Sequence, residues 1–133
     1  MLAGEMPGYP NLYVPIVDVR DVALAHVRAL TAKDAAGQRI LLGTGEPAVA
    51  MREIGWILRE QFGPAAAKVP TRAIPDLVVR VGGLVNPEFR SVAAELGFVK
   101  HVSIDRARRV LGFEPRPARE AIIAAGAGMI NGD

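Results

Sequence analysis

The hydrophobic pattern changes period once, sharply, near the start of the chain. From Tyr13 to Val19 (YVPIVDV) β-branched and aromatic residues predominate, as a strand prefers. Beyond Asp21 the apolar positions are too dense for a period of two. Ala23, Val27 and Leu30 recur at helical spacing, which predicts a helix with that face against a core. Asp21 stands where the first helical N–H groups lack partners, so its carboxylate is the predicted cap. Residues 38–42 read as a short apolar strand closed by Gly43-Thr44-Gly45. Residues 51–62 read as a helix with Ile54, Ile57, Leu58 and Gln61 inward and Arg52, Glu53, Arg59 and Glu60 outward. Its cap position holds Ala50, worth about 1 kcal/mol less than a serine. A very short strand is predicted at 68–70.

Pro75 opens a helix over 76–82, which Gly82-Gly83 is expected to end. Pro87 starts another over 88–96, stopped by Gly97. Residues 100–104 alternate as a strand does. Asp105 is the predicted cap of a helix over 106–111, with Ala107, Val110 and Leu111 inward and Gly112 as a left-handed stop. Pro117 opens the last helix, to about residue 130, with Ala121, Ile122, Ala125 and Met129 inward. Gly126 and Gly128 inside it each cost about 1 kcal/mol relative to alanine. The pattern is that of a helix-rich, mixed α/β chain with short strands and about five to six helices.

Composition sharpens this only in places. At 133 residues the chain is one domain by length. Half of its residues are hydrophobic, so it is not a disordered segment, and the apolar surplus fits either an Ala- and Val-rich composition or a face meant for something else. The net charge of +2 says little about nucleic acid. The absence of cysteine excludes disulfides, thiolate metal sites and a cysteine nucleophile, and fits a reducing cytoplasm. No run reaches the roughly 18–20 apolar residues of a membrane span. The first eleven residues have neither the basic nor the apolar region of a signal peptide and read as an interior loop.

Three segments carry a resemblance: VDVRDVALAHVRAL, GQRILLGTGE and SIDRARRVLGFEPRP, in that order. Together they resemble extended short-chain dehydrogenases/reductases, the NAD-dependent epimerase/dehydratase family, in particular its dihydroflavonol-4-reductase-like and nucleoside-diphosphate-sugar epimerase-like members. The resemblance runs along nearly the whole chain and corresponds to the second half of such an enzyme. It implies an incomplete NAD(P)-binding Rossmann-type fold in which residues 1–133 are a single C-terminal substrate-binding domain and the N-terminal Rossmann domain is absent. It implies pairing of strand 100–104 with strand 13–19, and a substrate pocket lined by Tyr13 and Pro15. NAD(P) is the cofactor of the full-length family, and none is expected on this chain alone. The implied partners are a small-molecule substrate and the missing Rossmann half, or self-association through an exposed apolar face.

That chemistry needs a Gly-rich turn for the cofactor pyrophosphate and a Tyr-x-x-x-Lys pair for proton exchange. The sequence holds neither: Tyr9 is followed four residues later by Tyr13, and Tyr13 by Val17. No catalytic or cofactor-binding residue is assigned, and the chain is expected to be inactive by itself. Asp18, Arg20 and Asp21 are the sharpest polar cluster, read as structural in preference to a substrate contact. Arg72 is a candidate for a substrate phosphate. His26 and His101 lack companions at ligand spacing. Arg106, Arg108, Arg109, Arg116 and Arg119 lack the interleaved aromatics of a nucleic-acid surface. The reading is the substrate-binding portion of an oxidoreductase or epimerase acting on a CH–OH or carbonyl group of a small hydrophobic or sugar-like molecule. The alternative is a stand-alone small-molecule-binding or interaction module without catalysis. Neither reading involves nucleic acid or a membrane.

Overall fold

The computed structural model describes residues 1–132, with position 88 described by its backbone alone. The chain is helix-rich and mixed α/β: β1 (Tyr13–Val14), α1 (Val19–Ala29), β2 (Val49–Ala50), α2 (Met51–Phe62), α3 (Asp76–Val85), α4 (Pro87–Glu95), α5 (Asp105–Leu111) and α6 (Ala118–Asn131), with 3-10 turns at Lys33–Ala35 and Gly63–Ala66.

The predicted strand over 13–19 shrinks to two residues because Pro15 has no N–H to give a ladder. Its partner is β2, antiparallel, with Tyr13 opposite Ala50 and Val14 opposite Val49. The expected pairing with residues 100–104 does not form. That segment is not a strand: the Ala48 N–H donates to the Lys100 carbonyl at 3.2 Å, and the Ile104 carbonyl accepts from Arg108 of α5 at 2.9 Å. Residues 38–42 and 68–70 are not strands either. The Tyr9 N–H donates to the Arg72 carbonyl, and the Ile74 N–H to that of Tyr9, which pins the N-terminal loop to the segment before α3.

Helix α1 begins earlier than the pattern predicts, and Asp18, not Asp21, caps it. Asp18 is extended and accepts from the Arg20 N–H at 2.8 Å. Asp21 lies within the first turn and accepts instead from the backbone N–H of Arg116 at 2.8 Å and from the Arg116 guanidinium. The inward face is therefore Asp21 and Ala25, while Ala23, Val27 and Leu30 point outward. Asp105 is likewise not a cap: Ile104 holds the cap position, and Asp105 accepts from the Ser103 hydroxyl at 2.8 Å.

Helix α2 has its expected bounds and, at Ala50, no side-chain cap. Gln61, expected inward, is exposed. Gly55 lies in the middle of α2 because a Cβ there would overlap the phenol of Tyr9. Helix α3 runs through Gly82-Gly83. Gly83 is where the backbone of Arg90 on α4 comes close, 3.1 Å from the Cβ an alanine would carry. The helix ends instead before Asn86, whose position ahead of Pro87 disfavours helical backbone. Gly112 stops α5 in the left-handed conformation expected of it. The first amide of α6, at Ala118, is capped from a distance by Glu46 at 3.1 Å.

Two clusters of buried side chains result. Tyr9, Ile57, Leu58, Ala66, Val69 and Ile122 join α2, α6 and the N-terminal loop. Ala25, Ile104, Ala107, Leu111 and Phe113 join α1 and α5.

Candidate functional site

Two hollows flank β1, and Tyr13 and Pro15 fall on different ones. The first is an apolar groove of about 440 Å³, walled by Pro15, Ile16 and Val17 on one side and by α2 and α6 on the other. Ala125 and Met129, expected in the core, lie along it. Ala125 is exposed, and Met129 keeps 66% of its surface in solvent, because the groove is open. Met1 and Leu2 complete its rim, from a segment with no periodic signal in the sequence.

The second is a cleft of about 660 Å³ on the outer face of α2. Tyr13 stands on one side, and Arg52, Trp56 and Arg59 on the other. These three recur at i, i+4 and i+7, and Arg52 and Arg59 are on the solvent side that the pattern predicts. The floor is rigid. The Tyr9 hydroxyl donates to the Pro70 carbonyl at 2.5 Å, and burial pushes its phenol pKa up, against a smaller downward pull from Arg59. Arg59 donates to the Val69 carbonyl at 3.0 Å, and Arg119 stacks 5.6 Å from the Trp56 ring centroid while pairing with Glu60. Arg52 has no hydrogen-bond or ion-pair partner among the described residues. Arg72 is exposed and lines neither hollow, so the structure does not bring Tyr13, Pro15 and Arg72 together.

The Asp18, Arg20, Asp21 cluster is tied inward. Arg20 forks onto both oxygens of Asp18, at 2.9 and 2.6 Å, and reaches Glu120 at 3.2 Å. That hydrogen-bonded fork, working against desolvation, holds the Asp18 carboxyl down from 3.8 to about 2 and raises the Arg20 guanidinium. Glu120 also takes Arg116 at 3.2 Å. His26 Nδ1 lies 2.8 Å from the Val22 carbonyl, a bond within its own helix. Among the described residues no three His, Asp or Glu side chains gather as a metal site would need. Arg106 spends its guanidinium on the Arg39 carbonyl at 3.2 Å.

The residues present do not fit a dinucleotide. Gly43-Thr44-Gly45 is the one Gly-rich turn that follows an apolar run. The space over Gly45 is taken by Ile104, whose Cδ1 lies 2.8 Å from where a Cβ would be, with Arg108 beside it. The turn packs on the protein's own α5 and leaves no cradle for a pyrophosphate.

The class these features define is a helix-rich, mixed α/β domain with an open apolar groove beside a two-stranded ribbon. No protein-family model and no curated protein matches the chain. Among solved structures it is similar to gox2253, with a TM-score of 0.68 and 27% identity over 98% of this chain. It spans 42% of the length of gox2253.

Proposed function

We propose that these residues are the substrate-selecting portion of an NAD(P)-dependent oxidoreductase or epimerase of the extended short-chain dehydrogenase/reductase type. The nucleotide-binding Rossmann part and the Tyr-x-x-x-Lys pair are supplied from outside them, in the cytoplasm. The observation that carries the reading is the apolar groove beside Pro15-Ile16-Val17. It meets the start of VDVRDVALAHVRAL, where the resemblance begins, and it includes Pro15, one of the two residues to which that resemblance assigns the substrate. An apolar wall suits a small hydrophobic alcohol or ketone, or the apolar face of a sugar. The similarity to less than half of a longer protein supports a division of the fold into two portions.

NADPH fluorescence tests this. Titrating the chain into NADPH is expected to leave the emission unchanged. Titrating it into NADPH with the remaining part of gox2253, made as a separate polypeptide, is expected to change it and to produce ketone-dependent oxidation. Micromolar NADPH binding by this chain alone would overturn the reading.

One observation favours the second reading, a small-molecule-binding module without catalysis. The aromatic side chains of Tyr13 and Trp56, with Arg52 unengaged on the Trp56 side, suit a planar ring carrying an acid group. Saturable binding of an aryl carboxylate at this cleft, lost in Arg52→Ala, would support it.

A further inference from the structure

Helix α1 carries apolar residues on both its inner and its outer face, with Arg20, Asp21, His26 and Arg28 among them. Its inner face carries Ala25, 2% exposed, on the α5 cluster. Its outer face carries Val19, Ala23, Val27 and Leu30, at spacings of four, four and three, which is one stripe of a helix. Val19, Val27 and Leu30 are 78%, 62% and 86% exposed. A helix with two apolar faces belongs inside a protein, between two layers.

Beside it runs the stretch that the sequence marks as a strand and the structure leaves unpaired. Ile40 and Leu42 turn toward α1, sharing a hollow of about 170 Å³ with His26 and Ala29, while Leu41 is 57% exposed on the other side. That is strand-like alternation. Yet among the described residues the N–H groups of 39–43 meet no backbone carbonyl, and the carbonyls of 40–42 accept nothing. Unpaired backbone along an apolar run is an open sheet edge.

The two features lie on neighbouring sides of α1, 39–43 beside His26 and Ala29 and the stripe along Val19, Val27 and Leu30, and they select the occupant together. A lone helix would cover the stripe and leave the edge bare; a lone strand would do the reverse. An α/β body supplies both, and the length of gox2253 beyond the matched 42% is enough chain to form one. We infer that residues 39–43 and the outer stripe of α1 are the docking face for that other portion of the fold. One of its β-strands pairs with 39–43, and its next layer covers Val19, Val27 and Leu30. This rests on the two-portion reading above, and it names the face.

The probe is the part of gox2253 outside the match, made separately and mixed with the intact chain. Sedimentation velocity should show a one-to-one complex, and hydrogen exchange should slow at least tenfold at amides 39–43. Val27→Asp with Leu30→Asp, both at exposed positions, should weaken the complex at least tenfold. Leu77→Asp with Leu84→Asp, on the exposed face of α3, should not. A complex that ignores the α1 pair and yields to the α3 pair overturns the docking face while leaving the two-portion reading intact. So does a complex without protection at 39–43. A homodimer of this chain that is sensitive to the α1 pair makes a second copy the occupant and overturns the inference. The absence of any complex overturns it as well, whereas NADPH binding by the chain alone is the result that overturns the reading beneath it.

Discussion

Asp18 shows what one side chain does here and how acid undoes it. Its carboxylate caps α1 and takes the Arg20 fork, with only 3% of the side chain exposed. In the unfolded chain the carboxyl protonates near 3.8; in the folded chain, near 2. Between those values the unfolded state holds more of the proton, so acid favours unfolding. The contribution is complete above about pH 4 and is lost as pH falls toward 2. Urea midpoints measured from pH 6 to pH 2 should therefore fall more steeply for the wild type than for Asp18→Asn, which keeps a capping oxygen but does not titrate. Asp18→Ala should cost about 1 kcal/mol at neutral pH through the lost cap. Parallel acid limbs in the wild type and Asp18→Asn would refute the assignment.

At the scale of elements, two glycines in two helices separate propensity from packing. Helix propensity predicts the same gain of about 1 kcal/mol for alanine at either place. Gly128 of α6 has nothing within 4 Å of a built Cβ, so Gly128→Ala should raise stability by about that amount. Gly55 of α2 faces the buried phenol of Tyr9, which its bond to Pro70 holds in place, so Gly55→Ala should destabilise by about 1–3 kcal/mol. Denaturant melts that move in the same direction would show that Tyr9 yields. The same contrast explains what the sequence made legible. Helices α2, α5 and α6 follow from their own periodicity and stops, because those signals are local. Gly55 is read correctly only against Tyr9 and Asp21 only against Arg116, which lie far off in sequence, and Gly83 only against Arg90 on the next helix. The strand signal at 38–42 is real as a pattern, but a strand needs a neighbour, and no described residue provides one. Of the candidate site, Tyr13 and Pro15 came from the resemblance, as one pair of substrate-lining residues. Their separation onto two hollows was not legible, because it depends on Pro15 ending β1. Trp56 was not read together with Arg52 and Arg59, because the cleft they share depends on the wall opposite.

Across the whole molecule, an ion network runs between the two buried clusters. Asp21 belongs to α1 and so to the cluster around Ala25 and Ala107. Arg116 leads into α6, which carries Ile122 of the other cluster. Asp21 binds Arg116, while Glu120 takes both Arg116 and Arg20, and Arg20 takes Asp18. Removing Arg116 leaves a carboxylate 2% exposed with a single N–H for company. Arg116 is itself 37% exposed, which discounts the loss to about 2 kcal/mol, below the figure for a fully buried pair. The effect should be uneven. The chain's one tryptophan, Trp56, lies on α2 and reports the first cluster by fluorescence, and amide exchange in α5 reports the second. In the wild type both probes should lose structure at one urea concentration, as a cooperative domain does. In Arg116→Ala the α5 amides should open at lower urea than the Trp56 transition, because α1 and α5 lose their hold on α6 while the packing of α2 on Tyr9 and Ile122 is untouched. If the two transitions shift together, apolar contact suffices to join the clusters and the ion network is incidental to cooperativity.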